Sequence, residues 1–136
     1  MALEEKANID LQEATITMLH ELGISIHRLG YVYLSIAVPY YATDNTQSLS
    51  KELYPYVAKR LDKYTKWYAI ERSIRLVITE AWERRDPGVW EQYFPRQKKV
   101  PTNKQFMAVL AEKIGNPSPR EGRGVIIKRS MCSITE

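Results

Sequence analysis

Glu71, Arg72 and Arg75, with Thr79 a turn further on, are the residues in this chain whose types and spacing could do chemistry. At helical spacing they fall on one side of a helix. Arginine can donate two parallel hydrogen bonds to guanine O6 and N7, and glutamate can accept from cytosine N4. An α-helix fits the major groove, so such a trio near a helix's N-terminal half suits the reading of base edges. Each good bidentate pair is worth about 1–3 kcal/mol of discrimination. The same residues also suit an ordinary solvated face, because Glu–Arg pairs three or four apart stabilise a helix by about 0.2–0.5 kcal/mol. On pattern alone, both readings stand.

The element that must carry these residues is the strongest helix in the chain. Ile70, Ile74, Val77, Ile78 and Ala81 recur at spacings of four, seven, eight and eleven, which marks one buried stripe. The pattern predicts a helix from about Lys66 to Arg84, capped by Thr65. Just ahead, Leu53, Val57 and Leu61 define a shorter helix capped by Ser50 or Ser48, with Pro55 in its first turn. With Ala58 as its small residue, this pair suggests a helix-turn-helix. The connection is about two residues longer than the usual motif and holds no glycine.

The other elements are also helical. A first helix is expected from about Ile9 to Leu22, stopped by Gly23 as a left-handed cap. A second, from about Leu29 to Ala42, is apolar on most sides (Tyr31, Tyr33, Leu34, Ile36, Ala37, Val38) and reads as a buried central helix, with Pro39 kinking it or ending it early. A short helix spans Pro87 to Tyr93. The last begins at Thr102 or Asn103, runs to Ile114, and buries Phe106, Val109, Leu110 and Ile114 before Gly115. The fold class is therefore all-α, about six helices with an embedded helix-turn-helix. Residues 1–115 are read as one helical domain and 116–136 as a flexible basic tail, in which Val125-Ile126-Ile127 could dock as a short strand.

Composition narrows the function classes. The formal net charge is +4 and the sequence pI about 9.2, a weak pointer to nucleic acid. From Arg96 to Arg129 nine lysines and arginines face two acids, so the positive excess lies late in the chain. The single Cys132 can form no intramolecular disulfide and has no catalytic signature around it. His20 and His27 lack the further ligands a metal site needs, so a polar or capping role is expected. Trp67, Trp82 and Trp90 are expected to pack in the core rather than stack on bases. No glycine-rich phosphate loop, nucleophile–base pair or spaced carboxylate pair appears, which points away from an enzyme, a cofactor and a small-molecule substrate. No stretch approaches the roughly 20 apolar residues of a membrane span, so a cytoplasmic protein is expected.

Several short strings, in order, resemble a known family. They are Leu19-His20-Glu21-Leu22-Gly23, Gly30-Tyr31-Val32-Tyr33-Leu34, Leu53-Tyr54-Pro55 with Ala58-Lys59, Ile70-Glu71-Arg72 with Ile74-Arg75, Ala81-Trp82, and Pro101-Thr102-Asn103 with Phe106. From about Ile16 to Ile114 the chain resembles the C-terminal effector domain of the stage zero sporulation protein A family. The resemblance implies six helices, the third and fourth forming the helix-turn-helix. It implies a short duplex DNA box containing guanine and cytosine, often in tandem copies occupied by a head-to-tail dimer. It also implies base contacts from Glu71, Arg72 and Arg75.

The departures from the family are specific. Small hydroxyl residues that lead into the family's recognition helix are replaced by Lys66, Trp67 and Tyr68 after Thr65. Thr65, Lys66 and Tyr68 remain candidates for phosphate contacts, as do Lys98, Lys99 and Lys104. Leu76 stands where the family has a histidine able to contact the backbone. The family's receiver domain lies ahead of this region, where the present sequence has only a short segment, and the expectation is either a stand-alone chain, which Met1 and the tail after Gly115 favour, or an excised domain. Dimerisation on DNA is expected through helix 102–114. The rival expectation is an interaction module that dimerises with a full-length regulator through that helix without binding DNA.

Overall fold

The computed structural model describes residues 2–44, 46–61 and 64–115, with backbone alone for 2–9. Six α-helices, and no strand, make up the described residues: α1 (Ala2–Leu22), α2 (Leu29–Thr43), α3 (Tyr54–Arg60), α4 (Trp67–Glu83), α5 (Pro87–Tyr93) and α6 (Asn103–Gly115). One π-helical turn, Leu49–Leu53, leads into α3. The C-terminal segment 116–136, with its expected tail and Val125-Ile126-Ile127, lies outside the described residues.

Helix α1 begins seven residues before the expected Ile9. The early stretch Ala2-Leu3-Glu4-Glu5-Lys6-Ala7 consists of strong helix formers without an apolar stripe in the sequence, so propensity extends the helix where apolar periodicity is silent. Its end follows expectation. Gly23 takes φ +85°, and the Ile24 N–H reaches back to the Leu19 carbonyl at 2.9 Å.

Helix α2 is the central helix, with Tyr33, Leu34, Ala37, Val38 and Tyr41 buried against its neighbours. Of the two effects expected of Pro39, a kink or an early end, the early end is corrected: α2 runs on to Thr43 with the proline inside. A proline removes one ladder bond. Packing against α1, α4 and α6 on several sides outweighs that loss.

Ser48, one of the two expected caps, caps the π-helical turn that leads into α3 rather than α3 itself. Its hydroxyl accepts from the Lys51 N–H at 3.3 Å, while the Ser48 N–H donates to the Glu52 carboxylate at 2.7 Å. Pro55, which has no N–H to lose, stands in the first turn of α3. Helix α5 is capped by Asp86, whose side chain accepts from the Gly88 N–H at 2.9 Å. At the start of α6, Thr102 accepts from the Gln105 N–H at 3.0 Å.

Helix α4 buries Ile70, Ile74, Val77, Ile78 and Ala81, the stripe expected from spacing. Its expected cap is corrected. The residue at the N-cap is Lys66, in extended backbone, and no side chain caps the helix. Thr65 lies one residue too early for its hydroxyl to reach the first-turn amides. At the other end, Arg28 from the start of α2 pairs with Glu80 at 2.8 Å. Closest of all is the crossing at Gly30, where an added Cβ would sit 2.5 Å from the Ser73 carbonyl and under 3 Å from both Val77 methyls.

The buried face of α6 also differs from expectation. Asn103, Phe106, Met107, Leu110 and Ala111 are buried, while Val109 and Ile114 are only partly so. The inward stripe follows the 3–4 spacing from Asn103; Val109 falls on its flank, while Ile114 continues the stripe into the last turn of the helix, where it is only partly covered. Phe106 joins Trp90 and Phe94 in an aromatic cluster with ring centroids 5.3–6.1 Å apart. Trp90 donates from Nε1 to the Leu22 carbonyl at 3.1 Å, satisfying the end of α1. Trp82 is half-buried against Trp90, with the Arg85 guanidinium 3.7 Å over its ring. The tryptophan expectation fails only at Trp67, which is 40% exposed.

Burial, together with a hydrogen bond to the Glu21 carboxylate, pushes the Tyr93 hydroxyl well above the ordinary tyrosine value of 10.0. Folded Tyr93 therefore keeps its proton where unfolded Tyr93 loses it. The resulting stability is complete below about pH 10 and is lost as pH rises towards the folded value. Melting temperature should thus decline steeply above pH 10, and less steeply for Tyr93→Phe. Parallel declines in the two proteins would refute the assignment.

Candidate nucleic-acid interface

At 100° per residue, Tyr68, Arg72, Arg75, Leu76 and Thr79 fall within an arc of about 100° on the side of α4 opposite its buried stripe. Tyr68, Arg72, Arg75 and Leu76 are exposed, and Thr79 is half-buried. Glu71 lies at the border of this arc, also half-buried. Its carboxylate meets the Arg75 guanidinium at 3.2 Å, an i,i+4 pair. The pair is partly solvated, so its role is to steer the Arg75 fork rather than to stabilise the fold. Among the described residues no ion pair engages Arg72, which projects freely.

What holds this face in place is a side chain that the sequence reading took only as a possible helix start. Asn103 is 8% exposed, and its Nδ2 donates to the Glu71 backbone carbonyl at 2.9 Å and to the Tyr54 hydroxyl at 3.2 Å. One amide thereby joins α3, α4 and α6 at the turn that carries Glu71. Burial pushes the Tyr54 hydroxyl above its ordinary value, so it stays neutral at this junction. The signal was present in the sequence: Thr102 and Asn103 are two potential caps in a row, and only one can serve. Thr102 caps, which frees Asn103 to turn inward.

Beside this junction a cleft of about 380 Å³ opens between α4 and the segment 100–104. Glu71, Arg75 and Thr79 line one side, and Lys104 the other. Of the remaining cationic candidates, Lys98 and Lys99 are exposed on the connection from α5 to α6 and do not line the cleft. That connection is held in shape. The Arg96 N–H donates to the Glu91 carboxylate at 3.1 Å, and Gln97 and Gln105 exchange amide hydrogen bonds at 3.0 and 3.3 Å. Lys66 and Tyr68 are exposed at the uncapped start of α4, and Thr65 is half-buried just before it. His20 lies 3.2 Å from the Tyr31 hydroxyl, a polar role as expected.

Residues 15–114 match the model of the family described as Sporulation initiation factor Spo0A C terminal. The chain belongs to this family. The match spans the whole helical assembly from the middle of α1 to the end of α6, and it includes α3, α4 and Asn103. Its members' C-terminal domain is a DNA-binding module of sporulation transcription regulators, and the all-helical architecture with six helices fits that family. Helix α3 packs against α4 despite a connection longer than usual. Within the family frame the exposed arc of α4 is the side of the domain left free by α2, α3 and α6. No helix among the described residues is long and apolar enough to cross a membrane.

Proposed function

We propose that this chain is a sequence-specific regulator that docks α4 in the major groove of duplex DNA, with Glu71, Arg72 and Arg75 at base edges. The observation that carries this reading is the arc on α4, which presents two guanidiniums and a steering carboxylate to solvent opposite a fully buried stripe. Arg72 and Arg75 supply bidentate donors for guanine, and Glu71 accepts from cytosine. Thr65, Lys66 and Tyr68 grip phosphates at the start of α4, while Lys98, Lys99 and Lys104 grip those across the groove. The box contains guanine and cytosine and is bound in tandem copies by a dimer. Because the inner face of α6 is committed to the core, the dimer contact uses its outer edge around Gln105, Val109 and Glu112.

Selection from a random duplex library tests the reading directly. Enrichment of a short guanine- and cytosine-containing box, shifted by the protein in gels, is the expected result. Absence of any enriched sequence, together with binding to a full-length regulator of the family, would instead establish the interaction-module reading. That alternative must also recruit α6, whose apolar side is already buried.

Salt dependence separates the phosphate contacts from the base contacts. Each neutralised phosphate contributes a slope near −0.9 in log K against log salt. Lys98→Ala should flatten the slope by about one and leave base preference untouched. An unchanged slope would remove Lys98 from the contact set.

A further inference from the structure

Leu76 is 47% exposed in the middle of the arc that carries Arg72 and Arg75. It stands four residues after Arg72, so the two side chains are neighbours on the helix surface. Most other large aliphatic side chains of α4 (Ile70, Ile74, Val77 and Ile78) are buried, at 1% exposure or less. Leu76 is thus the large aliphatic side chain of α4 that stays outside the buried core, with about half of its surface open to solvent. An isolated exposed leucine is ordinary on a protein surface. Its position is not, because it lies beside Arg72 on the arc of α4 proposed above to face the major groove.

The major groove offers one apolar group to a protein, the C5 methyl of thymine. We propose that Leu76 is a specificity-determining residue that packs on a thymine methyl, so that this chain's box requires a thymine beside the guanine read by Arg72. The inference rests on the docking of α4 proposed above. Three features support it. Leu76 cannot hydrogen-bond to a base or a phosphate, so its contribution to binding must come from apolar contact. It neighbours Arg72 on the same arc, and a leucine in place of the family's histidine exchanges a polar contact with the DNA backbone for an apolar one inside the groove. Finally, an exposed leucine facing the groove without a methyl to meet would desolvate polar base edges at a cost, which disfavours guanine–cytosine pairs at that step.

The test uses the duplex that the wild-type full chain selects from a random library. Each thymine in that duplex is replaced in turn by deoxyuridine, which removes the methyl and keeps every hydrogen-bonding group. Wild-type protein should lose about four-fold in affinity at one position, the worth of one buried methylene-sized group. Leu76→Ala should bind the thymine and deoxyuridine duplexes alike at that position while keeping the guanine preference. The substitution is at an exposed site, and an unchanged melting temperature verifies the fold. Sensitivity to deoxyuridine that persists in Leu76→Ala overturns the proposal, as does a wild type indifferent to every thymine methyl. Both of those outcomes leave the docking of α4 intact if Arg72→Ala still relaxes the guanine. If Arg72→Ala changes nothing either, it is the docking itself that has failed.

Discussion

Arg72→Ala should lower affinity for the selected duplex by roughly 5- to 150-fold, the equivalent of about 1–3 kcal/mol. The loss should appear as relaxed preference at one guanine, with binding to unrelated duplex reduced much less. Arg72 is suited to this test because it is exposed and engages in no ion pair among the described residues, so its removal leaves no buried charge behind. Arg75→Ala is a less clean probe, since it also strips Glu71 of its partner at 3.2 Å. Arg72→Lys sharpens the reading further. A lysine keeps the charge but cannot make the two-pronged contact, so phosphate attraction should survive while guanine selectivity falls. Competition gel shifts with matched and guanine-substituted duplexes measure both quantities. Wild-type affinity and unaltered preference in Arg72→Ala would exclude α4 from the groove.

Gly30→Val should cost about 3 kcal/mol of stability, the upper end of the range for overpacking a well-filled interior. The first atom of the new side chain would stand 2.5 Å from the Ser73 carbonyl, and the further methyls would be driven into Val77. A backbone carbonyl cannot swing aside as a side-chain tip can, so α2 and α4 must separate. Against a typical total of 5–15 kcal/mol such a loss is severe. It also has a functional signature, because Ser73 and Val77 lie on the helix proposed to read DNA. Under conditions where the variant is still folded, specific affinity should fall although residue 30 is remote from the exposed arc. Urea unfolding gives the stability change from the midpoint at constant slope. A shift below about 0.5 kcal/mol, the usual scatter for a surface position, would show that the crossing relaxes without strain.

Much of the molecule could be read from residue spacing, because spacing determines which residues share a face. The five apolar positions of α4 had to be buried together, and that alone placed Arg72 and Arg75 on the outside. The same logic identified α2 as central and Gly23 as the end of α1. The family strings then supplied what spacing left open at a coarser level, that the helices belong to a DNA-binding domain. Other features required the tertiary structure, each for a reason that acts between elements. Pro39 is tolerated because three other helices hold α2, a sum of contacts that no local pattern records. Thr65 is not the cap because the turn before α4 stays extended through Lys66, so the backbone path rather than residue type decides which hydroxyl reaches the free amides. Trp67 is 40% exposed although it lies on the same side of the helix wheel as Ile70 and Ile74, because it is the first residue of α4, at the end of the buried stripe. Asn103 shows the difference most clearly. Its identity allows a cap, a surface amide or a buried clamp, and only the approach of α3 and α4 to the start of α6 brings the Tyr54 hydroxyl and the Glu71 carbonyl within reach of one amide nitrogen. Local sequence set the periodicities and end signals, while the choice among equally compatible hydrogen-bond partners fell to the packing of helices distant in the chain.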